Sequence, residues 1–400
     1  MESLGLYISV PFCRSKCTYC NFASGVFPEE QQERYIERVL AEIRGSRRFA
    51  DQISAALPEV VDSVYLGGGT PSILAPDLLR RLFAGIRSEF KVSFDAEITL
   101  ECAPGQLDDE FLAAMVECGV NRVSFGVQSF NDREAAVTGR LHTREIALRD
   151  IERVRHAGIR SVNADLIAGL PHQTPESWRE SLEVLASSGV DHGSVYMLEV
   201  DDDSRLGREL MDGGRRYHAG TVPTDEMVAD FYLEAIDVLA ARGLAQYEIS
   251  NFARPGAASL HNIKYWLRQP YLGFGLDAHS MLRTVDGEAV RFQTGDDLGR
   301  FLDGADWQDV RNVSQAQALE EAWFLGLRLN AGVSVAELER EFGSIDARRC
   351  DDEILELQTL GLLECGDDRV RLTSRGRLMS NEVFERFVGD AVEDELVLVD

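Results

Sequence analysis

Three cysteines stand close together near the start of the chain: Cys13, Cys17 and Cys20, in the stretch VPFCRSKCTYCNF. The spacing is C-x3-C-x2-C. Thiolates this close can each take one iron of a [4Fe–4S] cube, which leaves the fourth iron without a protein ligand. An open metal position is where a substrate or cofactor can bind and react. Free thiols and a zinc site are the competing readings. A structural zinc wants four protein ligands, and no fourth Cys or His lies nearby. A disulfide framework suits an oxidising compartment, whereas no secretory signal is visible. The other four cysteines, Cys102, Cys118, Cys350 and Cys365, show no ligand spacing and receive no role.

The elements that must position these thiols alternate. Strand patterns at 6–10, 61–66, 96–101, 121–127, 161–167 and 193–198 are separated by helical patterns at 28–45, 75–89, 107–118, 143–157 and 175–188. Such alternation predicts parallel strands with helical crossovers. Six units are fewer than the eight of a closed TIM barrel, so the expectation is an α/β fold, an open (β/α)6 partial barrel. Pro28 suits a first helical turn. Gly119, Gly158, Gly189 and Gly243 each precede an apolar residue at a helix end, the usual C-terminal stop.

Chemistry in such folds gathers at the C-terminal ends of the strands. Strand one runs into the cysteines, and strand two into Gly67-Gly68-Gly69-Thr70-Pro71. The next four reach Glu101, Gln128, Asp165 and Glu199. Consecutive glycines allow close backbone approach and offer N–H groups to a ligand; a tight turn is the plainer use. Carboxylates at the ends of apolar strands are costly unless partnered, by a ligand or in a structural ion pair.

Composition narrows the partners. The chain has 400 residues and a net charge of −27, which disfavours nonspecific nucleic-acid binding and anionic lipid surfaces. No stretch is long enough to span a membrane, so a cytoplasmic protein with at most peripheral membrane contact is expected. Three segments are expected: a core at 1–200, an extension at 201–305 and a C-terminal unit at 306–400. The extension begins with polar stretches at 201–203 and 211–218, then a helix at 224–242. The last segment reads as helices at 315–329, 334–342 and 346–360, a hairpin, and a helix at 374–388, which suggests a winged-helix-like domain. Residues 311–400 carry twice as many acidic as basic residues, so a packing module fits better than a DNA reader.

The cysteine triplet resembles that of the radical S-adenosylmethionine (SAM) enzymes. PFCRSKCTYCNF, YLGGGTP, RVSFGVQSF, DLIAGLP and LTSRGRLMSN together resemble the oxygen-independent coproporphyrinogen III oxidase group within that superfamily. The resemblance implies that Cys13, Cys17 and Cys20 ligate the cluster and that SAM occupies the open iron. Gly68, Gly69 and Thr70 would contact the SAM amino group. Glu101, Gln128, Arg140 and Asp165 would hold its methionine and ribose parts. Tyr7 would stand beside substrate and SAM, and Tyr19 would pack the cluster. No catalytic residue is assigned.

Two branches of that group differ in function: decarboxylating oxidases and HemW-type heme chaperones. The oxidases add a fourth cysteine two residues after the triplet, where this chain has Phe22, and an extension before the cluster, where this chain has only twelve residues. His261-Asn262-Ile263-Lys264-Tyr265-Trp266 matches the H-N-x-x-Y-W motif that the chaperone branch ties to heme. His261 is then a possible iron ligand, and Tyr265 and Trp266 offer flat surface for a macrocycle. A loop-anchoring histidine and a core tryptophan are the bland alternative. The resemblance thus implies heme as cargo, acceptor hemoproteins among the respiratory enzymes, an electron donor for the cluster, and a possible dimer. The rival function is oxygen-independent decarboxylation of coproporphyrinogen III.

Overall fold

Strand alternation sorts the side chains onto two faces, one apolar and one polar, and the fold follows from burying the first. The structure is a computed structural model describing residues 2–202, 204–344 and 349–389. Six parallel strands appear in chain order: β1 (Leu4–Val10), β2 (Val60–Gly68), β3 (Lys91–Cys102), β4 (Arg122–Gln128), β5 (Ser161–Ala168) and β6 (His192–Met197). Leu6, Ile8, Val64, Leu66, Leu100, Val123, Phe125, Val162 and Leu166 form one face. They join a single apolar cluster with α1 (Gln31–Gln52), α2 (Pro76–Glu89), α3 (Asp109–Glu117), α5 (Arg144–His156), α6 (Pro175–Ser187) and α8 (Asp225–Ala241). A short α4 (Asp132–Val137), which the sequence pattern did not reveal, precedes α5. Trp178 of α6 is fully buried with its ring N–H on the Phe231 carbonyl, 2.8 Å. Burying a side chain of this size stabilises the packing by roughly 2–3 kcal/mol.

The segment after residue 200 completes this sheet. On one side β7 (Asn251–Ala253) pairs antiparallel with β6. On the other, β8 (Tyr271–Phe274) pairs parallel with β1, and β9 (His279–Thr284), β10 (Ala289–Gln293) and β11 (Gln308–Val313) follow antiparallel. The parallel α/β core is therefore the expected one, and the sheet is open with extended flanks.

Several boundaries moved. Helix α1 starts at Gln31 and runs on to Gln52; Pro28 lies outside it, its carbonyl taking the Gln31 N–H at 3.1 Å. Asp165 is not at a strand end, because β5 continues to Ala168. The stretch read as a polar excursion contains helix α7 (Arg205–Asp212), capped by Ser204; position 203 is outside the described residues. The four glycines at helix ends all have positive φ, between 80° and 89°, as a C-terminal stop requires.

A second apolar cluster, around Trp323 stacked on Phe387 at 5.2 Å, joins the C-terminal residues to Ile249, Tyr271, Met281 and Ala289 of the preceding segment. Helices α11 (Gln315–Arg328; a short α10, Leu298–Leu302, precedes it) and α12 (Val335–Phe342) lead to a helix at Asp351–Thr359. A hairpin, Leu363–Gly366 with Arg369–Leu372, gains a third strand from Val333–Ser334. The expected last helix is two, Ser374–Leu378 and Ser380–Glu385, broken at Met379. Residues 346–348 of the helix expected at 346–360 lie outside the described residues.

Candidate functional site

The loop after β1 carries Cys13, Cys17 and Cys20, all half-buried and free of disulfides. Backbone bonds tie it down on both flanks: Thr18 N–H to the Thr138 carbonyl at 3.1 Å, and the Leu206 N–H of α7 to the Thr18 carbonyl at 2.9 Å. The Thr70 hydroxyl reaches Cys13 Sγ at 3.7 Å, and the Arg140 guanidinium reaches Cys17 Sγ at 3.4 Å. Tyr19 lies within the electrostatic reach of Cys17 and Arg140, its phenol held well above the ordinary range by burial and then by Cys17. Among the described residues no three His, Cys, Asp or Glu side chains form a single-ion site. A lone ion needs every donor about 2.3 Å from one point; a cube takes each thiolate on a different iron, so its ligands stand farther apart.

Gly69, the residue after β2, serves this loop directly. A Cβ on Gly69 would stand 2.6 Å from the Val10 carbonyl oxygen and 2.9 Å from that of Phe12. Those oxygens accept the N–H groups of Gly69 and Thr70 at 2.9 and 2.8 Å. The Gly69 and Thr70 N–H groups are therefore spent on the base of the cysteine loop, and that of Gly68 on the Glu101 carboxylate.

The polar face of the sheet lines the space beside this loop. Glu101 accepts from the Tyr65 hydroxyl at 2.8 Å, and burial, with Asp165 nearby, pushes its carboxyl up to about 7. Asp165 accepts from Asn163 Nδ2 at 2.6 Å and from the Ser124 hydroxyl at 3.2 Å. Burial raises it, and Arg140 works the other way. Tyr7 stacks on Tyr65 with centroids 6.1 Å apart. Gln128 has φ of +69°, and its Oε1 is buried without a partner. Gly126 is needed here: a Cβ would collide with Arg140 and stand 3.1 Å from Gln128 Nε2. Gln106 Oε1 and His142 Nε2 are also buried without partners, and both residues line a cleft with Thr70 and Arg140. Burial and then Arg140 push His142 down to about 4. Tyr7, Tyr19, Thr70, Glu101, Gln128, Arg140 and Asp165 are thus gathered around one mouth with the cysteines.

The H-N-x-x-Y-W residues lie elsewhere on the same polar face, nearer the N-terminal ends of the strands. They form helix α9 (Leu260–Trp266), whose first amides, Leu260 and His261 N–H, sit on the Glu97 carboxylate at 3.0 Å. Anions favour helix N-termini. The His261 ring is stacked on Tyr65 at 5.3 Å. Its Nδ1 pairs with the Ser63 hydroxyl at 3.0 Å and its Nε2 with the Tyr265 hydroxyl at 2.8 Å. Burial holds it down to about 3, so the ring is neutral. Lys264, 2% exposed, reaches Asp62 at 2.8 Å. Trp266 takes the Arg328 guanidinium over its ring at 4.2 Å, which joins α9 to the C-terminal unit.

Residues 7–185 match the radical SAM superfamily, and residues 313–379 match the HemN C-terminal domain. The chain is 32% identical to the heme chaperone HemW of Lactococcus lactis, over 96% of this chain and 97% of that one. The chain belongs to the HemW family of radical SAM proteins. HemW of Escherichia coli is 30% identical over 98% of this chain and 99% of its own. A mitochondrial mouse protein, radical S-adenosyl methionine domain-containing protein 1, is 32% identical over 90% and 81%. The solved structure of the Escherichia coli coproporphyrinogen III oxidase HemN superposes with a TM-score of 0.83 at 24% identity, covering 96% of this chain and 90% of that one; it has the same fold.

Membership of the radical SAM superfamily implies a [4Fe–4S] cluster and SAM. The residues of this HemW-family chain fit both. Three thiols share one anchored loop, and three buried polar atoms at its rim lack protein partners. Sequence reading missed Tyr65, Ser124, Asn163, Gln106 and His142. Four were open to detection, since the first three occupy alternate, inward-facing strand positions and His142 follows Arg140 by two residues. Gln106 carried no signal.

Glu101 carries a cost that can be measured. Its folded carboxyl, at about 7, binds protons more tightly than the unfolded one near 4.5. Its contribution to stability is therefore favourable at low pH and is lost as pH rises through that window. Glu101→Gln is expected to raise the unfolding free energy at pH ~8 by roughly 3 kcal/mol and to change it little at pH ~4. Urea unfolding of the cluster-free protein at the two pH values checks this; equal effects at both would contradict it.

Proposed function

We propose that this protein is a heme chaperone: it holds heme and passes it to acceptor hemoproteins. The observation that carries the reading is the near-full-length similarity to proteins curated as heme chaperones. Phe22 supports it, standing where the decarboxylating branch has a further cysteine and half exposed on the cysteine loop. In this reading Cys13, Cys17 and Cys20 hold the cluster. Arg140 matches the SAM carboxylate in charge and fork geometry; Glu101 and Asp165 accept from its hydroxyl and amino groups, and Gln128 closes the rim. The cluster, when bound, supplies a site-differentiated iron and an electron. Respiratory hemoproteins are the proposed acceptors, with a cytoplasmic location, a separate electron donor and a dimer as further parts of the reading. No helix among the described residues is long and apolar enough to cross a membrane.

Direct iron ligation by His261 exchanges one of its two ring hydrogen bonds, to Ser63 or Tyr265, for the metal. Titrating the reconstituted protein with hemin and following the Soret band tests the reading. Saturation near one heme per chain is expected, with a shifted band in His261→Ala. Absence of saturable binding, or turnover of coproporphyrinogen III with release of 5′-deoxyadenosine, would overturn it in favour of the oxidase.

A further inference from the structure

The H-N-x-x-Y-W helix and the mouth of the sheet are joined by a short run of side chains. From α9, Tyr265 O–H and the Ser63 hydroxyl fix the two nitrogens of His261. The flat of His261 lies on Tyr65 at 5.3 Å with an interplanar angle of 29°. On the side toward β1, Tyr7 stacks on the same tyrosine at 27°. Held in this way, Tyr65 donates to Glu101 Oε1 at 2.8 Å. Gly67 has no Cβ because one there would stand 2.8 Å from that oxygen and 2.9 Å from the Tyr65 ring. No long, freely rotating side chain interrupts the run.

We infer that Tyr65 is a positioning residue for Glu101, and that His261 and Tyr265 hold Tyr65 in place, so that the H-N-x-x-Y-W helix sets the affinity of the mouth for SAM. The inference rests on the reading of Glu101 as a SAM contact. With Oε1 committed to Tyr65, the carboxylate presents Oε2 in one orientation to a donor of the ligand. By reciprocity, anything that binds at α9 and disturbs His261 changes SAM affinity, and SAM changes its affinity by the same factor. A neutral His261 suits this role, since the ring accepts or donates a single bond at each nitrogen without a charge to solvate.

Glu101 is faced by Tyr65 and the Gly68 amide from β2, by Tyr7 from β1, by Asp165 from β5 and by Tyr196 from β6. Of these, the Tyr65 and Gly68 donors favour the ionised form and Asp165 opposes it. Removing the Tyr65 hydroxyl therefore raises the pH at which Glu101 ionises. A purely structural loss would lower affinity without moving that midpoint.

The test is equilibrium binding of labelled SAM to the cluster-loaded full chain across pH ~5.5 to ~8.5, the window around the Glu101 midpoint. Tyr65→Phe keeps the ring stack and is expected to weaken SAM about tenfold, the loss of one hydrogen bond to a charged group, and to shift the binding midpoint upward. Glu101→Gln is expected to flatten the pH profile. His261→Ala is expected to weaken SAM in wild type and to add little in the Tyr65→Phe background. Additive effects of His261→Ala and Tyr65→Phe, or an unmoved midpoint in Tyr65→Phe, overturn the inference while leaving the SAM site intact. Failure of the loaded wild type to bind SAM overturns both.

Discussion

Cys17→Ser protein, reconstituted anaerobically with iron and sulfide, is expected to hold its cluster about 100-fold or more less tightly than wild type. Replacing groups that merely orient a ligand already costs 10–100-fold in metal affinity, and here a ligand itself is removed. A serine oxygen is harder and far less acidic than a thiol, and it matches iron in a sulfide cube poorly. The fold should survive, because Cys17 is half-buried on a loop and lies outside both apolar cores. The Arg140 guanidinium that faces Cys17 Sγ at 3.4 Å keeps its second anchor, the Gly126 carbonyl. Iron and sulfide per chain, with unfolding of the cluster-free protein as control, check this. Cys365→Ser, at an exposed hairpin position, should behave as wild type. Retention of a full cluster by Cys17→Ser would remove Cys17 from the ligand set.

Gly69→Ala is expected to damage the same site without touching a ligand. The added methyl meets two backbone oxygens, those of Val10 and Phe12, at 2.6 and 2.9 Å. Backbone cannot rotate away as a side chain can. The clash is relieved only by parting the segment after β2 from the root of the cysteine loop, which lengthens the Gly69 and Thr70 hydrogen bonds. A loss of about 2–3 kcal/mol in unfolding free energy is expected, together with reduced cluster retention. Gly45→Ala, in α1 with open space around the new methyl, should be stabilising by about 0.5–1 kcal/mol. Urea unfolding and iron content of the two variants make the comparison. Unchanged cluster retention in Gly69→Ala would mean that the glycines serve the turn alone.

The proposed cluster site was readable because its candidate ligands are local. Cys13, Cys17 and Cys20 lie within eight residues, and their number and spacing need no tertiary information to suggest a site-differentiated cluster. The strand rule carried Glu101, Gln128 and Asp165 to one rim, although Asp165 sits three residues inside its strand. It reached the rim group because it faces inward with Ser124 and Asn163, not because the strand stops there. The packing around Gly69 was not legible for a related reason. A run of Gly shows that something must come close, but not what; the neighbour proved to be the cysteine loop's own backbone.

Composition and local pattern determined the α/β alternation, the helix stops at Gly119, Gly158, Gly189 and Gly243, the cysteine triplet and the family motifs. These depend on dihedral preference, on side-chain period and on residues a few positions apart. The tertiary structure alone decided that α9, some 200 residues from β2, lies on the polar face with His261 against Tyr65 and both its nitrogens engaged. It also decided that β8 to β11 extend the sheet beyond β1, and that α7 closes on the cysteine loop through the Leu206 amide. Contacts of that kind are set by packing among distant segments, and no spacing along the chain records them.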